Sequence, residues 1–463
     1  MQHAGQRIVA ADASRAPAPV PDNVNSDASR IAGMRPFGFN VIGYASSNIG
    51  LGESARNVIR LILGRGFPVA VLDCDAGYGR SGHETCFREW TVDSADRLPY
   101  GITIAVLSLT SLPQSIVNGP VRLRSDVVTA GFLWWELPFI PHKWAASLEY
   151  FDVLLSGSNF TRSALESHVR RVRAPIIDVM HAPCDPPDVQ PCRSMFDLPG
   201  DKVVFLCTLD PRSDPNRKNP YSAIAAFLRA FNAEDRAHLV IKVNNGNSGG
   251  SSAVELAALG GIDQRSITII DRVLPRTELL QLFASCDVFV GLHRAEGFGY
   301  GLMEAMALGK PVIATGWSGN MTFMNQANSC VVGYRLVPVD GSVPAYSRGV
   351  LRETVHWAEP DIAEAATWMR RLASDPGLRD SIGERAVGDI ERYRAKAERA
   401  EFLDELERIW RWRAEAPRTD APTGAEILDN VRRAELDRAG TIDGWRLRTR
   451  SFLDRHLLWR FAR

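Results

Sequence analysis

The sequence predicts an α/β protein of two Rossmann-like domains facing each other across a cleft, followed by a helical C-terminal extension. Three observations carry this. Short apolar runs of strand type alternate with helical stretches along most of the chain, which implies parallel sheets covered by helices on both faces. The alternation breaks once, at the Pro- and Asp-rich stretch PCDPPDVQPCRS (183–194), and then restarts. From about residue 360 to about 412 the pattern is helical only. A chain of 463 residues has room for two or three domains. The expected division is a disordered leader over 1–35, an N-terminal domain over 36–185, a C-terminal domain over 186–395 and a helical extension over 396–463.

Taken in order, the leader is rich in Ala, Pro, Ser and Asp and has no apolar stretch. FNVIGYA is the first strand. A loop, SSNIGLG, leads into ESARNVIRLILGRG, where Ala55, Val58, Ile59 and Ile62 recur at helical spacing and Gly64 or Gly66 ends the helix. FPVAVLD, ITIAVLSL, VVTAGFLW, DVLLSGS and IIDVMHAP continue the strand series, with NFTRSALESHVRR as an intervening helix. Beyond the hinge, the strands are VVFLCTL, HLVIKV, SITIID, DVFVGL and PVIAT. Helices are expected at about 219–231, 277–286 and 300–309, the middle one with Leu279, Leu280 and Phe283 as its apolar stripe. In DIAEAATWMRRLAS the residues Ile362, Ala366 and Met369 share one face. The last stretch mixes Arg with Trp445, Phe452, Leu457, Leu458, Trp459 and Phe461 and reads as a basic amphipathic tail.

The bulk numbers narrow the function. Lys and Arg total 54 and so do Asp and Glu, a balance that argues against a dedicated nucleic-acid binder. Seven scattered cysteines form no C-x-x-C pair, which leaves zinc and redox motifs unsupported and fits a reducing compartment. No apolar run reaches membrane-spanning length. A cytoplasmic protein is expected.

Chemistry concentrates in RAEGFGYGLMEAMALGKPVIATGW (294–317). Glu296 and Glu304 flank a Gly-Phe-Gly turn and the start of a helix. Gly297 and Gly299 let the backbone approach a ligand, and the helix N-terminus favours an anion. Such a site suits a polyhydroxylated ligand carrying phosphate. His293 reads as a loop histidine. The stretch DPRSDPNRKNP (210–220) follows a strand and offers Arg212, Arg217 and Lys218, which can neutralise a diphosphate without a metal. Gly50, Gly52 and Ala55 spell G-x-G-x-x-A, with Asp73 about twenty residues on, a dinucleotide fingerprint displaced from its strand by Ala45–Asn48. The D-x-D at Asp73–Asp75 is a weak metal signal.

E-G-F-G-x-x-x-x-E followed by A-x-G-x-P-V-I-A-T resembles glycosyltransferase family 4, whose members have the GT-B fold. RKNP, SGNMTFM, VHWAEPDIAEAA, GLGESAR and GFLWWELPFIPHKW extend the likeness over roughly 37–400 and resemble members that build bacterial polysaccharide. The resemblance implies a retaining transferase using a nucleotide-sugar such as GDP-mannose or UDP-glucose, with no metal or other cofactor. By position it implies Glu296 and Lys218 as catalytic residues. Gly297, Phe298 and Gly299 would touch the sugar and phosphate, and Glu304 the ribose. Arg212 or Arg217 would join Lys218 on the diphosphate, Arg272 to Leu274 would meet the base, and Gly50 and Gly52 would approach the phosphates. Many relatives carry a His where this chain has Trp134-Trp135-Glu136, so Trp134 and Glu136 become acceptor-side candidates. The acceptor expected is a growing polysaccharide or lipid-linked glycan. Residues 440–463 read either as a helix packed on the N-terminal domain or on a second subunit, or as a peripheral contact with the inner face of the cell membrane. The alternatives are a non-hydrolysing nucleotide-sugar epimerase, a nicotinamide oxidoreductase and a non-catalytic glycan-binding protein.

Overall fold

The computed structural model describes residues 33–77, 84–168, 174–181, 189–244, 266–341, 344–347, 351, 355–415, 426 and 429. Most of the leader, the first half of the hinge stretch and the basic tail 440–463 lie outside the described residues, as does the side chain of Arg212.

The N-terminal sheet comprises β1 (Phe39–Gly43), β2 (Val69–Asp73), β3 (Thr91–Val92), β4 (Ile102–Ser108), β5 (Val128–Trp134), β6 (Val153–Ser156) and β7 (Ile176–Asp178). Their order is β3-β2-β1-β4-β5-β6-β7, parallel throughout. The C-terminal sheet comprises β8 (Val203–Leu209), β9 (Ala237–Val243), β10 (Ile267–Asp271), β11 (Val288–Gly291), β12 (Val312–Thr315) and β13 (Cys330–Val332), in the order β10-β9-β8-β11-β12-β13 and again parallel. Both sheets are covered on two faces, which is why their strands read as unbroken apolar runs. In each sheet the strand order reverses beside the first strand, between β1 and β4 and between β8 and β11. Parallel sheets open a crevice at such switch points, beyond the strands' carboxyl ends.

The helix Gly50–Gly64 buries Ala55, Val58, Ile59 and Ile62 against the first sheet. It starts at Gly50 itself, with no side chain capping its N-terminus. Gly50 and Gly52 therefore lie in the first helical turn, after the turn over 45–49. Gly52 is a glycine because of packing: a Cβ there would lie 2.2 Å from the Ser47 carbonyl oxygen.

A hairpin unforeseen in the sequence, β14 (Tyr334–Pro338) with antiparallel β15 (His356–Pro360), follows the second sheet. β14 is mostly exposed, so it lacks the apolar signature of the other strands. Between its arms, Val339, Tyr346, Leu351 and Val355, with Trp357 of β15, enter the N-terminal domain's core beside Trp135 and Trp144. The chain closes with helices Ile362–Ser374, Pro376–Ala397 and Glu401–Glu415, the first two N-capped by Asp361 and Asp375. The last one returns to the first domain. Phe402, Leu403, Leu406 and Trp410 are buried there, Arg413 pairs with Asp152, and Arg65 pairs with Asp404 at 2.6 Å. Both segments run from the second half of the chain into the N-terminal domain and tie the two domains together across the cleft.

Candidate active site

β8 and β11 lie side by side, so the loops that leave their carboxyl ends meet. The first carries Arg217 and Lys218 on the short helix Pro215–Lys218, N-capped by Asp214. The second carries Glu296. Lys218 Nζ donates to Glu296 Oε1, and Arg217 Nη1 lies 3.4 Å from Glu296 Oε2. Burial by itself would raise the Glu296 carboxyl, but the Lys218 and Arg217 cations outweigh it and hold it down at about 2. Glu296 is therefore an anion at any physiological pH.

Arg217 is 4 % exposed and heavily committed. Its Nε donates to Ser213 O (3.1 Å) and its Nη1 to Ala295 O (2.8 Å). Its Nη2 lies 3.9 Å from Glu136 Oε1 across the cleft. Lys218, more accessible, lines both cavities of the site. Arg217 and Lys218 both line the first cavity; the hydrogen bonds of Arg217 fix it as a strut, while Lys218 is the more exposed of the two.

The loop of Glu296 is clamped from behind. Glu296 N–H donates to Ser318 Oγ (2.8 Å), and Gly319 N–H donates to Glu296 O (2.9 Å). A Cβ on Gly319 would fall 2.0 Å from Gly297 O, so only glycine fits. Gly299 has φ +99°, which a side chain would strain, and it precedes the helix Tyr300–Ala307. His293 lies in the loop after β11 and is buried. Its Nε2 faces Asn320 Oδ1 at 3.0 Å and Trp317 O at 3.2 Å, both acceptors, so that nitrogen carries the proton. Burial depresses its pKa.

Glu304 sits one turn into that helix, and its Oε1 lies 2.7 Å from Arg276 Nη1. Burial raises its pKa and Glu53 adds to this, against the pull of Arg276. The sequence reading missed this arginine. Phe298 packs into the core beside Trp134, His181 and Phe323 while still lining the first cavity. Arg272 is exposed just beyond β10.

On the N-terminal side, Trp134 is buried and its Nε1 donates to Ser54 Oγ at 2.8 Å. Its ring meets the Glu296 loop: a Cβ on Gly297 would come within 3.1 Å of it. Glu136 accepts from Tyr346 Oη (2.7 Å), and Tyr346 stacks on Trp135. Tyr346 and His181 also escaped the sequence reading. His181 is fully buried, its Nδ1 2.9 Å from Tyr300 Oη and its ring stacked on Phe132, so it joins the two domains at the cleft floor. These residues enclose a cavity of about 570 Å³ that Ile49 and Gly50, Ser108 and Thr110, Glu136, Lys218, Glu296 and Tyr346 help to line. Asp75 of the D-x-D is fully buried, and among the described residues no group of three His, Cys, Asp or Glu is placed to hold a metal.

Residues 200–350 match the family model described as glycosyl transferases group 1. Among solved structures, sucrose-phosphate synthase of Thermosynechococcus elongatus superposes with TM-score 0.57 at 14% identity, covering 81% of this chain and 99% of its own. HepE of Anabaena, solved with UDP and glucose, gives 0.56 at 13% identity, covering 80% and 99%. The α,α-trehalose 6-phosphate synthase of Burkholderia multivorans gives 0.55 at 11% identity, covering 81% and 98%. At these identities the superpositions speak for the fold. No curated protein matches the chain. Two facing parallel sheets, each with its crevice at the switch point, are the GT-B architecture that these neighbours share. The similarity to the glycosyl transferases group 1 family lies in residues 200–350, within the C-terminal domain.

Proposed function

We propose that the protein is a retaining glycosyltransferase that moves a hexose, mannose or glucose, from a nucleotide-sugar to a growing polysaccharide or lipid-linked glycan. The observation that carries this is the Lys218–Glu296–Arg217 cluster at the β8/β11 crevice, walled on its far side by Glu136 and Tyr346.

The donor diphosphate lies against Lys218 and the uncapped helix N-terminus at Gly50, where an anion is favoured. Glu304 has one oxygen held by Arg276 and turns the other to the ribose hydroxyls. As the bond from C1 to the phosphate oxygen breaks, positive charge grows on the sugar ring, and the Glu296 anion supports it. The acceptor oxygen bonds to C1 on the face the diphosphate leaves, and its proton passes to the departing phosphate oxygen. Glu136 and Glu296 are each held by partners, which favours this same-face route over a covalent sugar–carboxylate intermediate. The Anabaena neighbour's bound UDP and glucose favour UDP-glucose as the first donor to try.

A nucleotide-sugar panel read by nucleotide release tests the reading. Release that depends on added glycan acceptor supports it. Altered donor stereochemistry without acceptor would support the epimerase instead. Peripheral membrane attachment through 440–463 is tested by liposome flotation with and without those residues; equal recovery rejects it.

A further inference from the structure

A second cavity of about 210 Å³ shares Gly50, Lys218, Tyr300 and Gly301 with the first and continues past Glu304 and Arg276 to Lys242 and Asn244 at the end of β9. Lys242 is out of place on that strand. Its neighbours Val240, Ile241 and Val243 are apolar and buried, and Lys242 is itself only 2 % exposed. An ammonium in such surroundings costs free energy that a Met or Leu would not. Its Nζ donates to Val243 O (2.7 Å) and Asn244 Oδ1 (3.2 Å). That uses two of three N–H bonds, and the third can address whatever fills the cavity. Burial lowers its pKa to about 8, against the pull of Asp271 and Asp210, so it is mainly charged at neutral pH.

The remaining walls indicate what it addresses. Lys218 stands at the near end, Glu304 in the middle, and Leu279 and Phe283 give an apolar side. Of the charged lining, Glu53 and Glu304 are paired with Arg56 and Arg276, and Asp210 lies near Lys242, so beside the apolar Leu279 and Phe283 the far part of the cavity suits a flat, neutral group with an acceptor atom. Asn48 closes the far end, its Nδ2 3.3 Å from Leu274 O and its carbonyl accepting from Asn244 Nδ2 at 3.5 Å.

We propose that Lys242 is a specificity-determining residue that reads the carbonyl oxygen at the O4 position of a uracil or the O6 position of a guanine in the donor. The inference rests on the nucleotide-sugar reading above. An ammonium donates and cannot accept. Uracil and guanine present a carbonyl, O4 or O6, where cytosine and adenine present an amino group. Lys242 therefore selects uridine or guanosine donors against cytidine and adenosine donors.

The test is calorimetric binding of UDP, GDP, CDP and ADP, with inorganic pyrophosphate as the probe that has no base. The wild type should bind UDP or GDP about tenfold or more tighter than CDP and ADP. Lys242→Met, folded by its thermal transition, should bring all four within about threefold while leaving pyrophosphate binding unchanged, and Lys242→Arg should keep part of the preference. A Lys242→Met protein that keeps the preference, or weakens pyrophosphate as much as UDP, overturns the assignment. So does a wild type that binds all four alike. A wild type that binds no nucleotide rejects the donor reading itself.

Discussion

Lys218 and Glu296 are 78 residues apart in the chain, yet the Lys218 ammonium donates directly to the Glu296 carboxylate. The contact exists because β8 and β11 are neighbours in the second sheet and both loops leave at the same edge. With Arg217 at 3.4 Å it fixes an anion inside the cleft.

That anion has a pH signature. The Glu296 carboxyl is held at about 2 instead of 4.5. Its pairing contributes fully above about pH 4.5 and is lost as pH falls towards 2. Over that window the wild type should lose roughly 3 kcal/mol that Glu296→Gln does not lose, read from denaturation curves against pH. Parallel curves would mean that the carboxylate is not so held.

Arg217 is expected to matter for the fold as well as for turnover. Arg217→Ala strips partners from Ser213 O, Ala295 O and a buried carboxylate, and should cost about 3–5 kcal/mol in chemical denaturation. Arg217→Lys should recover little, since an ammonium cannot reproduce the fork. A loss below about 1 kcal/mol would contradict the strut role.

Tyr346→Phe removes only the hydroxyl that donates to Glu136. If Glu136 orients the acceptor, KM for acceptor should rise about tenfold with KM for donor unchanged. A rise in KM for donor with KM for acceptor unchanged would place the pair on the donor instead, and equal change in both would contradict the acceptor assignment.

His181 is buried with its pKa at about 3, the shift coming from burial. A depressed histidine stabilises the fold above its unfolded value of 6.5, and that contribution falls away as pH drops towards 3. His181→Gln should make the stability curve shallower by about 1.4 kcal/mol per pH unit within this range. An unchanged slope would show that His181 titrates normally.

The sheets were legible because parallel strands buried on both faces must be apolar, as VVFLCTL and ITIAVLS are. The glutamate loop was legible because its glycines and acids are close in sequence. The pairings that shape the site were not. Glu304 with Arg276, Glu136 with Tyr346, and His181 with Tyr300 each join residues that only the fold brings together. Single residues in ordinary local contexts carry no periodic or motif signal, and the exposed strand Tyr334–Pro338 lacks even the burial pattern that marks a strand. Lys242 did leave a trace, a lone lysine in the apolar run HLVIKV, but the trace gains meaning only beside a cavity.

Nucleotide release from UDP-glucose and GDP-mannose, with and without glycan acceptor, is the most direct test of the central claim, compared across wild type, Glu296→Ala and Lys218→Ala. The Glu296–Lys218 account predicts acceptor-dependent release from one donor by the wild type. It predicts a fall of about 10²-fold or more in each variant with the thermal transition retained. Near-wild-type release by both folded variants would contradict it.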